Sequence, residues 1–381
     1  IIVDEEQETS FYQDMKEPRY HARDVALMRG SFERATVVLA SATPSLESYY
    51  NHQQKKIRYL HLPKRYGQAK HPTVHIVDML SNQQETGKFG VVISGLLQDK
   101  IEERLNKKEQ IILLQNRRGF SSIVKCNVCG YIIMCKQCKI TLTYHKNDNK
   151  LICHFCSFAV VVDLLSCPEC NNPKLTFSGT GTQKVESLVQ NIFPESKICR
   201  IDMDTSKNGS SIASTLMSFS NHDYDILIGT QMIAKGLDFP NATLVGIVNA
   251  DVGLYLPDFR ATERVFQLIY QASGRSGRSN KKGEVVIQTY SSNNTVIQNA
   301  KELKISEFYN KELKERKELN YPPYSWLAKI EFSGPNKSSL VFLTKEISRK
   351  LKGKYIGLEI LGPTPCFLEK LKNQFRYQFV L

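Results

Sequence analysis

The sequence predicts an α/β protein built on a doubly wound parallel sheet, interrupted by a cysteine-rich module and followed by an α+β domain. Three observations carry this. Short, largely apolar runs recur at Val37–Ala40, Ile111–Leu114, Ile198–Ile201, Ile226–Ile228, Leu244–Val248 and Val285–Gln288, with helical stretches between most of them. Strands of that kind are buried on both faces, as in a parallel sheet under two layers of helices. Eight of the ten cysteines fall in four CxxC pairs within forty-five residues. From about Asn299 a charged helix and the turn Tyr321-Pro-Pro-Tyr324 open a stretch of different character.

In chain order, Ile1–Val3 reads as a buried strand that ends in the acids Asp4, Glu5 and Glu6. Val37–Ala40 is a second strand, and Thr43 is expected to cap a helix whose first position is Pro44. A polar linker rich in Lys, Gln, Asn and Gly runs through the sixties to the eighties, and Ile93–Lys107 has helical periodicity. The expected divisions are 1–60, 61–125, 126–172 for the cysteine module, 173–298 and 299–381. The chain opens directly on a strand, and Phe375–Leu381 reads as a strand stopping in mid-pattern, so a piece of a longer protein is expected.

With 41% hydrophobic and 23% charged residues, the 381-residue chain has the composition of an ordinary globular protein. No apolar run approaches the ~18 residues of a membrane span, so no membrane partner is expected. The formal net charge is +13. Eight thiolates on two zinc ions would reduce it to about +9, still basic enough to favour a polyanionic partner. The run Lys311–Lys317 reads as solvated surface.

A CxxC pair can chelate one metal from a tight turn, and four pairs suffice for two tetrahedral Zn(Cys)₄ centres. Fourteen residues separate Cys138 from Cys153. Between them Ile140–Tyr144 and Lys150–Ile152 read as strands flanking Asn147-Asp148-Asn149. A hairpin there brings Cys135/Cys138 to Cys153/Cys156, and Cys126/Cys129 then meets Cys167/Cys170 at its base. Pairing of sequence neighbours would need a sharp fold-back after Cys129. Disulfides suit small secreted domains, whereas this chain is long and opens on no signal peptide, so reduced, cytoplasmic thiols are expected. His145 and His154 read as bystanders, and Cys199 and Cys366 as core thiols.

Outside the cysteines, an acid at the end of a strand such as Val3-Asp4-Glu5-Glu6 can hold Mg²⁺ on nucleotide phosphates, and a neighbouring Glu can polarise water. Ser41 and Thr43 can bridge such acids to an adjoining lobe, or simply cap a helix. Gln271-Ala-Ser-Gly-Arg275-Ser-Gly-Arg278 places two arginines three apart beside glycines, which suits charge neutralisation on a transferred phosphoryl group and equally suits a basic loop on a phosphate backbone. Thr230 and Gln231 are candidates for nucleic-acid backbone contact, and Gly236 with Asp238 for reaching the nucleotide or Arg278. Tyr12, Tyr20 and Arg23, with Phe11 and His21, could stack unpaired bases. Gly179–Lys184 lacks the ending of a Walker A loop.

Taken together, Val3–Glu6, Arg19–Asp24, Ser41–Ser45, Asn116–Phe120, the four CxxC pairs, Gly229–Pro240, Pro257–Ala261 and Gln271–Arg278 resemble the primosomal replication-restart helicases, the PriA family of superfamily 2, over essentially the whole chain. The resemblance implies RecA-like helicase lobes, the first partial and the second complete. It implies an ATP- and Mg²⁺-dependent 3′→5′ DNA helicase that recognises stalled forks and single-strand/double-strand junctions. The implied partners are primosome proteins, a replicative helicase loader and single-stranded-DNA-binding protein. It assigns Asp4 and Glu5, with Glu6 and Gln7 completing their box, to Mg²⁺ and water activation. Ser41 to Thr43 take coupling, Arg118 a DNA or coupling role, Gln271 the nucleotide, and Arg275 and Arg278 phosphate sensing. It places one zinc on Cys126, Cys129, Cys167 and Cys170 and the other on Cys135, Cys138, Cys153 and Cys156. Gln7 and Leu237 stand where the family commonly has His. With no Walker A lysine, this chain alone is expected to hydrolyse ATP poorly or not at all. The competing readings are a non-catalytic, zinc-stabilised DNA and protein docking module, and a zinc-ribbon transcription or translation factor, which would leave Gln271–Arg278 unused.

Overall fold

The computed structural model describes the chain except residues 14–16, 63–70, 88–90, 116–122, 137–140, 146–148, 154, 155, 157, 162–165, 174, 179–181, 202–208, 231–238, 257, 276–281, 356 and 372. Its centre is a six-stranded sheet in the order Ile198–Ile201, Ile226–Gly229, Gln110–Leu114, Ala242–Ile247, Glu284–Thr289 and Thr73–Asp78, every neighbouring pair parallel. Successive side chains in a strand point to opposite faces, and both faces are covered. Ile112, Leu114, Leu227, Val245 and Ile287 pack on one side with Val265, Phe266 and Ile269 of the helix Ala261–Arg275. Ile111, Leu113, Ile226, Leu244 and Val286 pack on the other with Leu97 and Ile101 of the helix Gly95–Asn106 and Val185 and Val189 of Thr182–Ile192. This is the doubly wound architecture that the apolar runs from Ile111 onward predict; Ile1–Val3 and Val37–Ala40, expected as buried strands, lie outside it with Ile2 and Val38 exposed, because each pairs on one side only.

The edge strand Thr73–Asp78 corrects the expected polar linker. The five residues Thr73-Val-His-Ile-Val77 are mostly β-branched and pair with Glu284–Thr289. Asp78 then caps the helix Met79–Thr86, accepting from Leu80 and Ser81 N–H. Averaged over the polar stretch around it, so short a run is hidden.

Ile2–Asp4 pairs in parallel with Val38–Ala40 as a separate two-stranded sheet. The helix that follows is Leu46–Gln53, and its cap is Ser45, whose hydroxyl accepts from Ser48 N–H; Thr43 and Pro44 precede it. The expected cap at Thr43 is therefore corrected by two residues, Pro44 leading into the cap instead of occupying the first turn.

The cysteine module rises from the strand pair Ile123–Cys126 and Leu175–Ser178, antiparallel with Cys126 opposite Leu175. Thr143–His145 and Lys150–Ile152 form the expected hairpin, and Ala159–Val161 adds a third strand. Val124, Ile133, Leu142 and Leu151 give the module a small core of its own.

Beyond the main sheet, Ile305–Glu318 is the charged helix. Phe308, Tyr309 and Leu313 bury into the same core as the helix Ala261–Arg275. Of the run read as solvated, Lys311, Lys314 and Lys317 are exposed, but Arg316 is only 1% exposed. The three-stranded antiparallel sheet of Lys329–Gly334, Gln374–Val380 and Leu361–Leu371 packs against the helix Lys337–Leu351, the expected α+β unit. No helix among the described residues is long and apolar enough to cross a membrane.

Candidate active site and metal centres

The acids divide at a backbone turn. Glu5 has φ 51, a left-handed conformation that costs a non-glycine residue about 1 kcal/mol or more and persists where surroundings hold it. Glu6 N–H bonds to Ala40 O at 3.1 Å and Glu8 N–H to Glu5 O at 2.8 Å, bracketing the turn. The consecutive carboxylates thereby enter different surroundings. Glu6 is 1% exposed and accepts from Ser45 N–H at 2.6 Å, Ser45 Oγ at 3.1 Å and Arg23 Nη1 at 3.1 Å. Arg23 also donates to Ser45 Oγ at 2.7 Å. Burial alone would lower the Arg23 guanidinium, but Glu6 and Asp24 outweigh it and raise its pKa. Asp4 stays exposed and Glu5 half-buried.

Glu5 anchors a path of hydrogen bonds. Gln7 Nε2 donates to Glu5 Oε2 at 2.6 Å, and Ser41 Oγ donates to Gln7 Oε1 at 2.6 Å. Thr43 N–H donates to Ser41 Oγ at 2.9 Å. From the other side Gln271 Nε2, on the helix Ala261–Arg275, reaches Glu5 Oε2 at 3.3 Å. An amide side chain suits position 7 because it donates with one end and accepts with the other. The adjoining cleft is lined by Gln7, Thr9, Gln267 and Gln271. Thr43 Oγ1 is a buried hydroxyl with no hydrogen-bond partner among the described residues, which is uncommon in a folded interior.

Of the other candidates, Tyr12 and Tyr20 are 53% and 42% exposed on a short hairpin in which Tyr12 faces His21. His21 Nδ1 accepts from Arg23 N–H and caps the helix Ala22–Phe32. Thr230 follows the strand Ile226–Gly229, half-buried. Arg275 ends its helix. Arg118, Cys138, Gln231, Gly236, Asp238 and Arg278 lie outside the described residues.

Behind the acids lies a buried group that the sequence reading missed. Glu263 accepts from Leu46 N–H at 2.9 Å and pairs with Arg316 Nη2 at 2.7 Å. Gln267 Nε2 reaches Thr43 O at 3.5 Å and Glu263 Oε1 at 3.3 Å. The Tyr309 hydroxyl donates to Pro44 O. Burial pushes the Glu263 carboxyl up despite Arg316. The available signal was the i,i+4 spacing of Glu312 and Arg316 inside an otherwise lysine-rich helix.

The thiols form two groups. Cys126, Cys129, Cys167 and Cys170 place their sulfurs within 4.8 Å of one another, with Cys126–Cys170 at 3.5 Å and Cys129–Cys167 at 3.4 Å. Cys135, Cys153 and Cys156 form the second group, with Cys135–Cys156 at 3.5 Å. This is the nested arrangement expected from spacing, because the Ile123–Cys126/Leu175–Ser178 strand pair closes the base of the module. A tetrahedral Zn(Cys)₄ centre with Zn–S near 2.3 Å has sulfur–sulfur edges of about 3.8 Å, so the first group fits such an ion. Without a cation the thiols cannot all ionise. Burial pushes Cys126 up, yet the backbone N–H groups of Cys129 and Val128 outweigh it and leave it at about 7, while burial pushes Cys129 up to about 12. A shared dication removes that conflict.

Comparison with known proteins agrees with this geometry. Residues 135–159 match the PriA DNA helicase Cys-rich region domain, 156–280 the Helicase conserved C-terminal domain and 317–381 the Primosomal protein N C-terminal domain. The chain is 41% identical over 382 residues to the replication restart protein PriA of Bacillus subtilis, covering 100% of this chain and 47% of that one. It is 42% identical over 383 residues to the same-named protein of Chlamydia pneumoniae, covering 100% and 51%. Among solved structures it is similar to RecG bound to a three-way DNA junction, at TM-score 0.40 and 12% identity over 74% of this chain and 27% of that one. The chain thus spans about half the length of the curated relatives it matches. Its cysteine-rich region, its helicase C-terminal lobe and its C-terminal domain, met in that order along one polypeptide, place the chain in the PriA family.

Proposed function

We propose that the chain forms part of the motor of an ATP-dependent 3′→5′ DNA helicase that binds stalled forks and their single-strand/double-strand junctions and starts primosome assembly. The observation that carries this is the hydrogen-bond path from Gln271 through Glu5 and Gln7 to Ser41, which ties an acid box to a helix remote in sequence. Such a path suits a machine in which phosphoryl chemistry must be felt by two elements at once.

In this reading Asp4 is the ligand for Mg²⁺ and Glu5 orients the attacking water. Glu6 acts through Arg23 and Ser45, holding the two strand ends together. Ser41 and Thr43 couple the acids to DNA, and Gln271, Gly236 and Asp238 serve nucleotide binding. Arg275 and Arg278 neutralise charge on phosphoryl oxygens. Tyr12, Tyr20, Arg118, Thr230 and Gln231 contact DNA. Bound ATP with Mg²⁺ supplies the phosphoanhydride whose hydrolysis drives the cycle. Each group of four cysteines holds one zinc, which contributes folding free energy to the module. The module meets DNA at the fork together with primosome proteins, a helicase loader and single-stranded-DNA-binding protein. The name replication restart protein, borne by relatives matched across the whole chain, supports this assignment.

The test uses the intact protein. Arg278→Ala should abolish DNA-stimulated ATP hydrolysis while DNA binding persists. Unchanged turnover would refute the arginine assignment, and a protein with no DNA-stimulated hydrolysis at all would favour the docking-module reading.

A further inference from the structure

The turn from Ser41 to Leu46 is gripped by side chains that belong to neither the strand Val38–Ala40 nor the helix Leu46–Gln53 that it joins. Thr43 O faces Gln267 Nε2 at 3.5 Å, Pro44 O accepts from the Tyr309 hydroxyl, and Leu46 N–H donates to Glu263 Oε1 at 2.9 Å. Three nearly consecutive backbone groups are thus held from the helices Ala261–Arg275 and Ile305–Glu318. Arg316 secures the grip: it pairs with Glu263 at 2.7 Å and approaches Glu312 at 3.5 Å and Glu47 at 3.9 Å. Tyr309 is 0% and Arg316 1% exposed.

Burying this much charge is a poor route to stability alone. Apolar residues of similar volume commonly serve a core as well or better, whereas removing one partner of a buried pair is costly. What the polar groups add is direction. Each bond fixes one atom of the turn, and the turn carries the Ser41 hydroxyl that meets Gln7.

We propose that Tyr309, Glu263 and Arg316 are positioning residues, and that the helix Ile305–Glu318 is a strap setting the distance between Ser41 and the Glu5 box. The strap rests on the motor reading of Glu5. It leads through Tyr321–Tyr324 into the C-terminal sheet, so a load on that sheet reaches Ser41 through Tyr309 and Arg316.

Tyr309→Phe removes one hydroxyl and keeps the ring packed on Tyr49 and Phe266. Glu263→Gln removes the charge. In this chain both should speed amide exchange across residues 43–48 and leave exchange in Gln110–Leu114 unchanged. In the intact protein Tyr309→Phe should lower kcat for DNA-stimulated ATP hydrolysis about tenfold, with KM for ATP unchanged. In a Ser41→Ala background it should cause no further loss, because both changes act on one path. Unaltered exchange at 43–48, an unaltered kcat, or full additivity with Ser41→Ala would each overturn the strap. A Glu5→Gln control separates the two ideas: if it leaves turnover intact the motor reading itself fails, and if it abolishes turnover while Tyr309→Phe does not, only the strap fails.

Discussion

Gln271 Nε2 lies 3.3 Å from Glu5 Oε2, although 266 positions separate them in sequence. That contact closes a path continuing to Gln7 at 2.6 Å and to Ser41 at 2.6 Å. The Glu5 carboxylate is therefore a node that links two distant segments, and under the proposed function it is also the group that orients water.

Gln7 is the residue most dependent on this geometry, since it both donates and accepts. Gln7→Ala should leave unfolding within about 1 kcal/mol of the parent, the net contribution of such hydrogen bonds. In the intact protein it should cut DNA-stimulated ATP turnover about tenfold. Steady-state kinetics paired with urea unfolding checks both halves; a large stability loss with normal turnover would make Gln7 a structural residue.

Glu6 should behave in the opposite way. Its carboxylate answers Arg23 and both donors of Ser45 in a buried setting. Glu6→Ala leaves Arg23 partly buried without its main counter-charge and should cost about 3 kcal/mol, as the breaking of buried pairs does. Thermal or chemical unfolding of this chain reads it directly.

The cysteine module should fail one ion at a time. Cys153→Ser removes a ligand of the second group only, so elemental analysis should find two zinc ions in the parent and one in the variant. Amide exchange should quicken at Val124, Ile133 and Leu151, which form the module's own core. Two ions still bound would contradict the ligand sets.

An acid-sensitive contact sits on Glu284–Thr289, the strand that pairs with the sheet's edge strand Thr73–Asp78. Burial pushes the Glu284 carboxyl up, but Lys100, Arg104 and His75 outweigh it and hold its pKa below the ordinary value of 4.5. A depressed carboxylate contributes stability that is fully present above that value and is lost as pH falls through the lower folded-state value. Glu284→Gln should therefore lower the unfolding midpoint near neutrality and bring parent and variant together as pH drops below about 4.5. A midpoint difference that does not change with pH would remove Glu284 from the acid response.

Much of this was legible in the sequence because it rests on local signals. Continuous apolar runs such as Ile111–Leu114 announce strands buried on both faces, and CxxC spacing announces thiol pairs. The nesting of those pairs followed from one turn-prone hairpin. What escaped depends on partners far away. The strand Thr73–Asp78 is stabilised by Glu284–Thr289, which no local pattern reveals. Ser45 outranks Thr43 as cap because Glu6, 39 positions earlier, binds it and places it. Arg316 sits among exposed lysines and turns inward toward Glu263 on another helix and Glu47 on a third, partners far away in sequence.

The most direct test of the account is DNA-stimulated ATP hydrolysis by the intact protein carrying Glu5→Gln. The substitution keeps the amide-to-oxygen bonding but removes the carboxylate that would orient water. The account predicts loss of turnover by about a hundredfold or more, with DNA binding and both zinc ions retained. Turnover equal to that of the parent would contradict it.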